Sequence, residues 1–198
     1  MNQTAELIRS ATLRPDQAQR TFRAMLDAIA CPGRVTRLPQ EPLEKVPAAL
    51  LPVLALADLG TGVHVLSDDP RWADVTAVAT NAVPAPLARA RLVAALRPVT
   101  AAELRTLHRG SAAAPEDAAL AALAVPDVIG GEQAMRLTGP GVPGEVVIAP
   151  AGLPEGFAPA RGPGDFPAGI DLLLVAPDGR LLGLPRSTHL ELVTSRED

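Results

Sequence analysis

Apolar residues recur along this chain with two different periods, and the alternation between them maps its elements. Over residues 16–30, Phe22, Met25, Leu26 and Ile29 fall at i, i+3, i+4 and i+7, the stripe of an amphipathic helix. Pro15 and Asp16 suit its start, and Pro32-Gly33 suits its stop. Residues 35–38 then alternate apolar and polar, as a strand does. A second helix is predicted over 48–59 with Pro52 near its first turn; Gly60-Thr61-Gly62 breaks it before a short strand at 63–66. Trp72, Val75 and Val78 predict the inward face of a helix over 70–80. A strand follows at 92–96, ended by Pro98, and Thr100 with Glu103 makes the capping-box pattern of a helix reaching about His108.

The last third is richer in strands. Residues 115–125 read either way, because their alanines favour helix while a buried strand of small residues looks the same. Short apolar runs at 134–138, 146–149, 170–175 and 181–184 predict strands, and Asp178-Gly179 predicts a hairpin joining the last two. A Pro/Gly-rich loop, 150–169, lies among them. Helices interleaved with strands, closed by a hairpin, predict a mixed α/β sheet with helices on its faces. At 198 residues, 47% hydrophobic and 20% charged, the chain suits one domain over 1–198 with an ordered core of about 12–193.

Charge and composition narrow the function. A net charge of −4 and only four aromatic residues argue against nucleic-acid binding. No run approaches the ~20 apolar residues of a membrane span, and residues 1–17 lack a signal-peptide core, so a cytoplasmic protein without membrane contact is expected. The single cysteine, Cys31, forms no internal disulfide. Among 18 basic residues Lys45 is the only lysine, and its neighbours Glu41 and Glu44 are acidic, unlike the surroundings of an activated Schiff-base lysine.

Few motifs carry chemistry. Residues 139–144 spell GxGxxG, but Pro140 and Pro143 have no N–H to offer a pyrophosphate and a strand follows, so a tight inter-strand connection is predicted. His64, His108 and His189 lack metal-ligand spacing, and no metal site is expected. Ser187 beside His189 has no nucleophile elbow around it. The densest polar cluster, residues 185–191, is either a solvated terminus or an anion-accepting edge built from Arg186, Thr188 and His189. Asp171, at a strand start, is a loop-pinning acceptor or a site group, and Arg136 is strand surface or part of a site. The catalytic residues, if there are any, are not identified.

The run Asp165-Phe166-Pro167-Ala168-Gly169-Ile170-Asp171-Leu172, continued by Leu184-Pro185-Arg186-Ser187-Thr188-His189, resembles the H subunit of the bacterial carbon–phosphorus lyase complex. Three blocks agree in the same order: Phe22-Arg23 with Met25 and Pro32-Gly33; Gly110-Ser111-Ala112 with Pro115-Glu116; and Met135-Arg136-Leu137-Thr138-Gly139 with Gly141. The resemblance implies a role in phosphonate breakdown, in a core complex with G, I and J subunits. That complex joins an alkylphosphonate to the ribose of ATP, giving α-D-ribose 1-methylphosphonate 5-triphosphate, and the H subunit is structural or site-completing, not catalytic alone. It further implies a homodimer when isolated and a three-layer α/β/α sandwich with a mixed sheet, similar to pyridoxal-phosphate-dependent transferases but without the cofactor. By analogy, 115–125 becomes strand. Cys31 stands where the family shows other residues, and Ser187 replaces an expected threonine while keeping the hydroxyl. Two other readings remain: a free-standing enzyme acting on a phosphorylated small molecule, with His189 as acid/base and Arg186 as anion clamp, and a scaffold that only binds partners.

Overall fold

A computed structural model describes residues 3–162 and 166–193. Asp165, the first residue of the resemblance run, lies outside the described residues. Helices α1 (Gln3–Ala11), α2 (Pro15–Ala30), α3 (Leu51–Leu56) and α4 (Arg71–Thr80) come from the first half of the chain, with α5 (Ala101–Thr106) and α6 (Phe157–Arg161) later. Strands β1 (Thr36–Arg37), β9 (Arg180–Leu184), β8 (Asp171–Val175), β5 (Leu120–Ala124), β4 (Leu92–Ala95), β2 (Gly62–Leu66) and β3 (Val83–Pro84) form one sheet in that spatial order. From β8 to β3 neighbouring strands are parallel; β9 and β1 extend that edge antiparallel. A separate antiparallel sheet has the order β10 (His189–Leu192), β6 (Met135–Thr138), β7 (Val146–Ile148).

Strand alternation builds a core on each face of the large sheet. In β8, Leu173 and Val175 join a cluster with Met25, Leu50 and Val75, on the side of α1–α4. Leu172 and Leu174 point the other way, toward Leu104, Phe157 and Met135 of α5, α6 and the small sheet. Each of these fully buried leucines contributes about 1.5–3 kcal/mol relative to exposure. The architecture is therefore mixed α/β with a large mixed sheet and helices on both faces, and one outer layer is shared between two short helices and the small sheet.

The seam between α2 and the sheet differs from the predicted stripe. Met25 is buried, but Phe22 and Leu26 are 45% and 53% exposed; the buried positions are Gln17, Thr21, Ala24, Met25 and Ala28. The cause is the close approach of β9. A Cβ on Gly183 would collide with the Ala28 carbonyl oxygen, so a small residue is needed where β9 meets Ala28, and Phe22 and Leu26 are turned away from the sheet. Val78, expected inward on α4, is likewise exposed, whereas Val75 and Thr76 are buried. The 48–59 helix is two pieces, a 3-10 turn over Ala48–Leu50 and α3, and it stops before Leu59.

Other expectations match. The hairpin at Asp178-Gly179 joins β8 to β9 with Gly179 at φ 80°. The GxGxxG stretch is the connection between β6 and β7. Of residues 115–125, expected as strand by analogy, 120–124 form strand β5 while Pro115–Asp117 is a 3-10 turn; the alanine-rich 120–124 segment, flanked by β4 and β8, is buried on both faces, where tertiary pairing overrides propensity.

At α5 the capping box is complete: Thr100 Oγ1 accepts from the Glu103 N–H at 3.2 Å, and Glu103 Oε2 accepts from the Thr100 N–H at 2.8 Å. The Arg97 guanidinium, 2.6 Å from Glu103 Oε1, and the Thr100 bonds hold the Glu103 carboxyl down to about 2 from its usual 4.5. A carboxyl depressed on folding stabilises above its unfolded value and loses that contribution as pH falls through the folded value. Glu103→Gln should therefore cost about 1–2 kcal/mol at pH 7. In urea unfolding the gap from wild type should close as pH falls from 4.5 toward 2. Gly183→Ala should cost about 1–3 kcal/mol by forcing α2 away from β9, read as a lowered urea midpoint.

Candidate functional site

The amino ends of β5 and β8 lie side by side, with Leu120 opposite Asp171. The segment after α5 runs past them: His108 O accepts from the Ala119 N–H and Arg109 O accepts from the Gly169 N–H, both at 2.8 Å. The turn after β9 reaches the same edge, because β9 runs antiparallel to β8. Residues from four distant parts of the chain thus meet at one end of the sheet.

Asp171 and Arg186 are locked together there. Arg186 Nη2 donates to Asp171 Oδ2 at 2.6 Å, Nε to the same carboxylate at 3.1 Å, and the Arg186 backbone N–H to Oδ1 at 2.7 Å. The remaining terminal nitrogen, Nη1, donates to the Pro115 carbonyl at 2.7 Å and the Pro167 carbonyl at 3.2 Å. Gly169, at φ 142°, lies flat against this side chain, since a Cβ there would stand 2.8 Å from Arg186 Cβ. The arginine thereby ties the 115 turn, the 166–169 turn and β8 to the end of β9, leaving no nitrogen without a protein acceptor.

A second arginine pair lies alongside. Arg109 donates through Nη1 to Arg161 O and through Nη2 to Ala160 O, both at 2.7 Å, capping the last carbonyls of α6. Arg161 itself is only 6% exposed. Its Nη2 donates to the Pro185 carbonyl at 2.6 Å, but its Nε has no partner. Burial pushes its pKa down from the ordinary arginine value, nearby Asp171 opposes this, and Arg109 adds like-charge repulsion. Thr188, 3% exposed, has a buried hydroxyl without a partner.

Arg161, Arg186, Thr188 and His189 border a cleft of about 740 Å³, with Pro140, Ala158, Pro159 and Leu190 as apolar walls and the exposed Phe166 ring at its edge. His189 is at the rim, its side chain 63% exposed, with Nε2 3.1 Å from Glu191 Oε1. Arg136 is elsewhere. It sits on the outer face of the small sheet, opposite Glu191 in register, and its Nε is 3.4 Å from Glu145 Oε2. The five residues singled out in the sequence therefore divide into a structural knot (Asp171, Arg186), a buried cleft hydroxyl (Thr188), and two outward side chains (His189, Arg136).

Sequence reasoning missed Arg161 and Arg109. Phe157, Ala160 and Arg161 have helical i, i+3, i+4 spacing, a signal obscured by the surrounding prolines and glycines. Among the described residues, no group of three or more His, Cys, Asp or Glu side chains could hold a metal ion. No helix among them is long and apolar enough to cross a membrane.

These features define the chain as a mixed α/β-sheet protein with a basic cleft at the amino end of its parallel strands. The family described as "Bacterial phosphonate metabolism protein (PhnH)" matches residues 11–191, and the chain belongs to that family. It is 34% identical over 183 residues to a putative C-P lyase subunit protein, HtxG, of Stutzerimonas stutzeri, covering 88% of this chain and 86% of that protein. It is 31% identical over 189 residues to the α-D-ribose 1-methylphosphonate 5-triphosphate synthase subunit PhnH of Rhizobium meliloti (strain 1021), covering 88% of this chain and 90% of that one.

The two classes of site residue should separate by stability. Arg186→Ala strands the Asp171 carboxylate in a partly buried place and should cost roughly 3 kcal/mol. His189→Ala should stay within about 0.5 kcal/mol of wild type. Denaturant unfolding of both variants checks this.

Proposed function

We propose that this chain is a subunit of a carbon–phosphorus lyase complex acting in phosphonate catabolism. It supports formation of α-D-ribose 1-methylphosphonate 5-triphosphate and turns over nothing alone. The observation that carries this is the family match over 11–191 together with two relatives, each aligned across 88% of the chain, that are named as subunits of such systems. In this reading the partners are the G, I and J subunits, the isolated protein is a homodimer, and the setting is the cytoplasm. Apolar side chains left uncovered, such as Phe22 and Leu26 on α2 and Val147 on β7, offer surface for such contacts.

The proposed fold likeness to pyridoxal-phosphate-dependent transferases goes with a working protein that does not use the cofactor. In support, Lys45, the only lysine, is exposed at the end of a 3-10 turn beside Glu44, far from the chemistry expected of a Schiff-base lysine. A free-standing enzyme with Arg186 as anion clamp has less behind it. Each of that side chain's nitrogens already donates within the protein, and His189 is engaged with Glu191 at the surface.

Light scattering after size exclusion tests the assignment. The purified chain should elute as a dimer without activity on ATP and methylphosphonate. Co-expressed with the G, I and J subunits, it should move into one larger assembly of defined mass. Elution that ignores all three partners rejects the subunit reading.

A further inference from the structure

An open strand edge is a template for another strand, and three of the four sheet edges among the described residues are blunted. In the large sheet β1 and β3 are two residues long, and β3 contains Pro84. In the small sheet β7 lies against the turn after α2, where a Cβ on Gly33 would stand 2.8 Å from Val146 Cγ1. The fourth edge, β10, is different. It has four residues and no proline, and it pairs with β6 on one side only.

The register shows which groups are free. The Val193 N–H donates to Ala134 O at 2.9 Å, and bonded pairs recur at every second residue, so Glu191 bonds with Arg136 and His189 with Thr138. Leu190 and Leu192 therefore aim their N–H and C=O groups away from β6, and among the described residues no backbone group meets them there. That side is a trough. The cleft of about 740 Å³ continues into a second of about 640 Å³, and Ala158, Pro159 and Leu192 line both. The shared wall is apolar. At the far end Glu132 and Glu155 stand exposed, neither in an ion pair among the described residues. The remaining segments of the chain are too short to close the edge. Residues 194–198 follow β10 directly, and a two-residue turn would leave only three to pair along its four. Residues 163–165 link Gly162 to Phe166, at one end of the trough.

We infer that β10 takes an added strand from another chain of the assembly. The occupant is an extended segment whose backbone pairs with Leu190 and Leu192, with an apolar side chain over Ala158 and Pro159 and a basic one toward Glu132 and Glu155. This rests on the subunit reading, because another chain must supply the strand.

Co-expression with the G, I and J subunits, followed by size exclusion, tests the inference with two kinds of variant. Leu192→Pro removes an N–H that faces away from β6 and sets a ring in the path of an incoming strand, at a position where an edge strand tolerates proline. Its Tm should stay within about 3 °C of wild type. Co-eluting partner should fall about tenfold or more, whereas Leu192→Ala, which keeps the N–H, should lose less than about threefold. Should Leu192→Pro unfold the chain, Glu132→Lys combined with Glu155→Lys probes the other end of the trough. Both side chains are exposed, so the fold should stand while co-elution falls about tenfold or more. A folded Leu192→Pro protein, or the double lysine variant, that assembles like wild type overturns the inference and leaves the subunit reading standing. A lower mass of the isolated chain on Leu192→Pro also overturns it, by assigning the edge to a second copy. Wild type that fails to co-elute rejects the subunit reading, and this inference with it.

Discussion

Arg186 is bound to a carboxylate on one side and to two turns on the other, and the end of the sheet is organised around that fact. Its contacts with Asp171 close the β8–β9 edge, while its Nη1 gathers the Pro115 and Pro167 carbonyls. The turns so held are the one after α6 and the one preceding β5, beside a cleft bordered by Arg161 and Thr188, while Arg109 grips the last carbonyls of α6. A lysine could not replace it, because three acceptors in different directions require the planar fork of a guanidinium. Three of the stretches on which the sequence resembles the family, around residues 110–116, 166–172 and 184–189, are in large part the stretches that this one side chain connects.

Much of the fold was legible because its signals are local. The hairpin at Asp178-Gly179, the capping box at Thr100 and Glu103, and the α2 limits at Pro15 and Pro32 each rest on chemistry within a few residues. What periodicity could not show was how closely elements approach. Phe22 and Leu26 belong to the apolar stripe of α2, yet Gly183 brings β9 close against Ala28, and both side chains are turned away from the sheet. The strands β3 and β10 and the helices α1 and α6 were missed for a related reason. They are short or polar, or interrupted by proline, and are held by tertiary contact more than by their own pattern.

The site was legible as a neighbourhood but not as a set of roles. Asp171, Arg186 and Thr188 do converge, while Arg136 and His189 point outward from the small sheet. Nothing in a linear sequence says that one arginine will be fully satisfied and another, Arg161, buried with a donor to spare. That distinction depends on how many carbonyls and carboxylates crowd around each, which is a property of packing. The cleft also opens at the amino ends of β5 and β8, the edge opposite the one where open α/β sheets commonly take their ligands. Its polar groups, Arg161, Arg186, Thr188 and His189, come from α6, the turn after β9 and the start of β10, and not from the carboxyl-end crevice of the parallel strands.

The order of strands has a kinetic meaning. Thr36 pairs with Leu181, and Leu120 with Asp171, so the sheet is closed by residues far apart in the chain. Loop-closure entropy must be met before such pairings stabilise anything, which places this topology among slower folders than helical proteins of similar size. During synthesis β1 emerges early and finds its neighbour only when β9 has been made. Until then the β9-facing seam of α2, with Ala24, Met25 and Ala28, stands uncovered, so the nascent chain is most exposed to misassociation just before its last strands arrive.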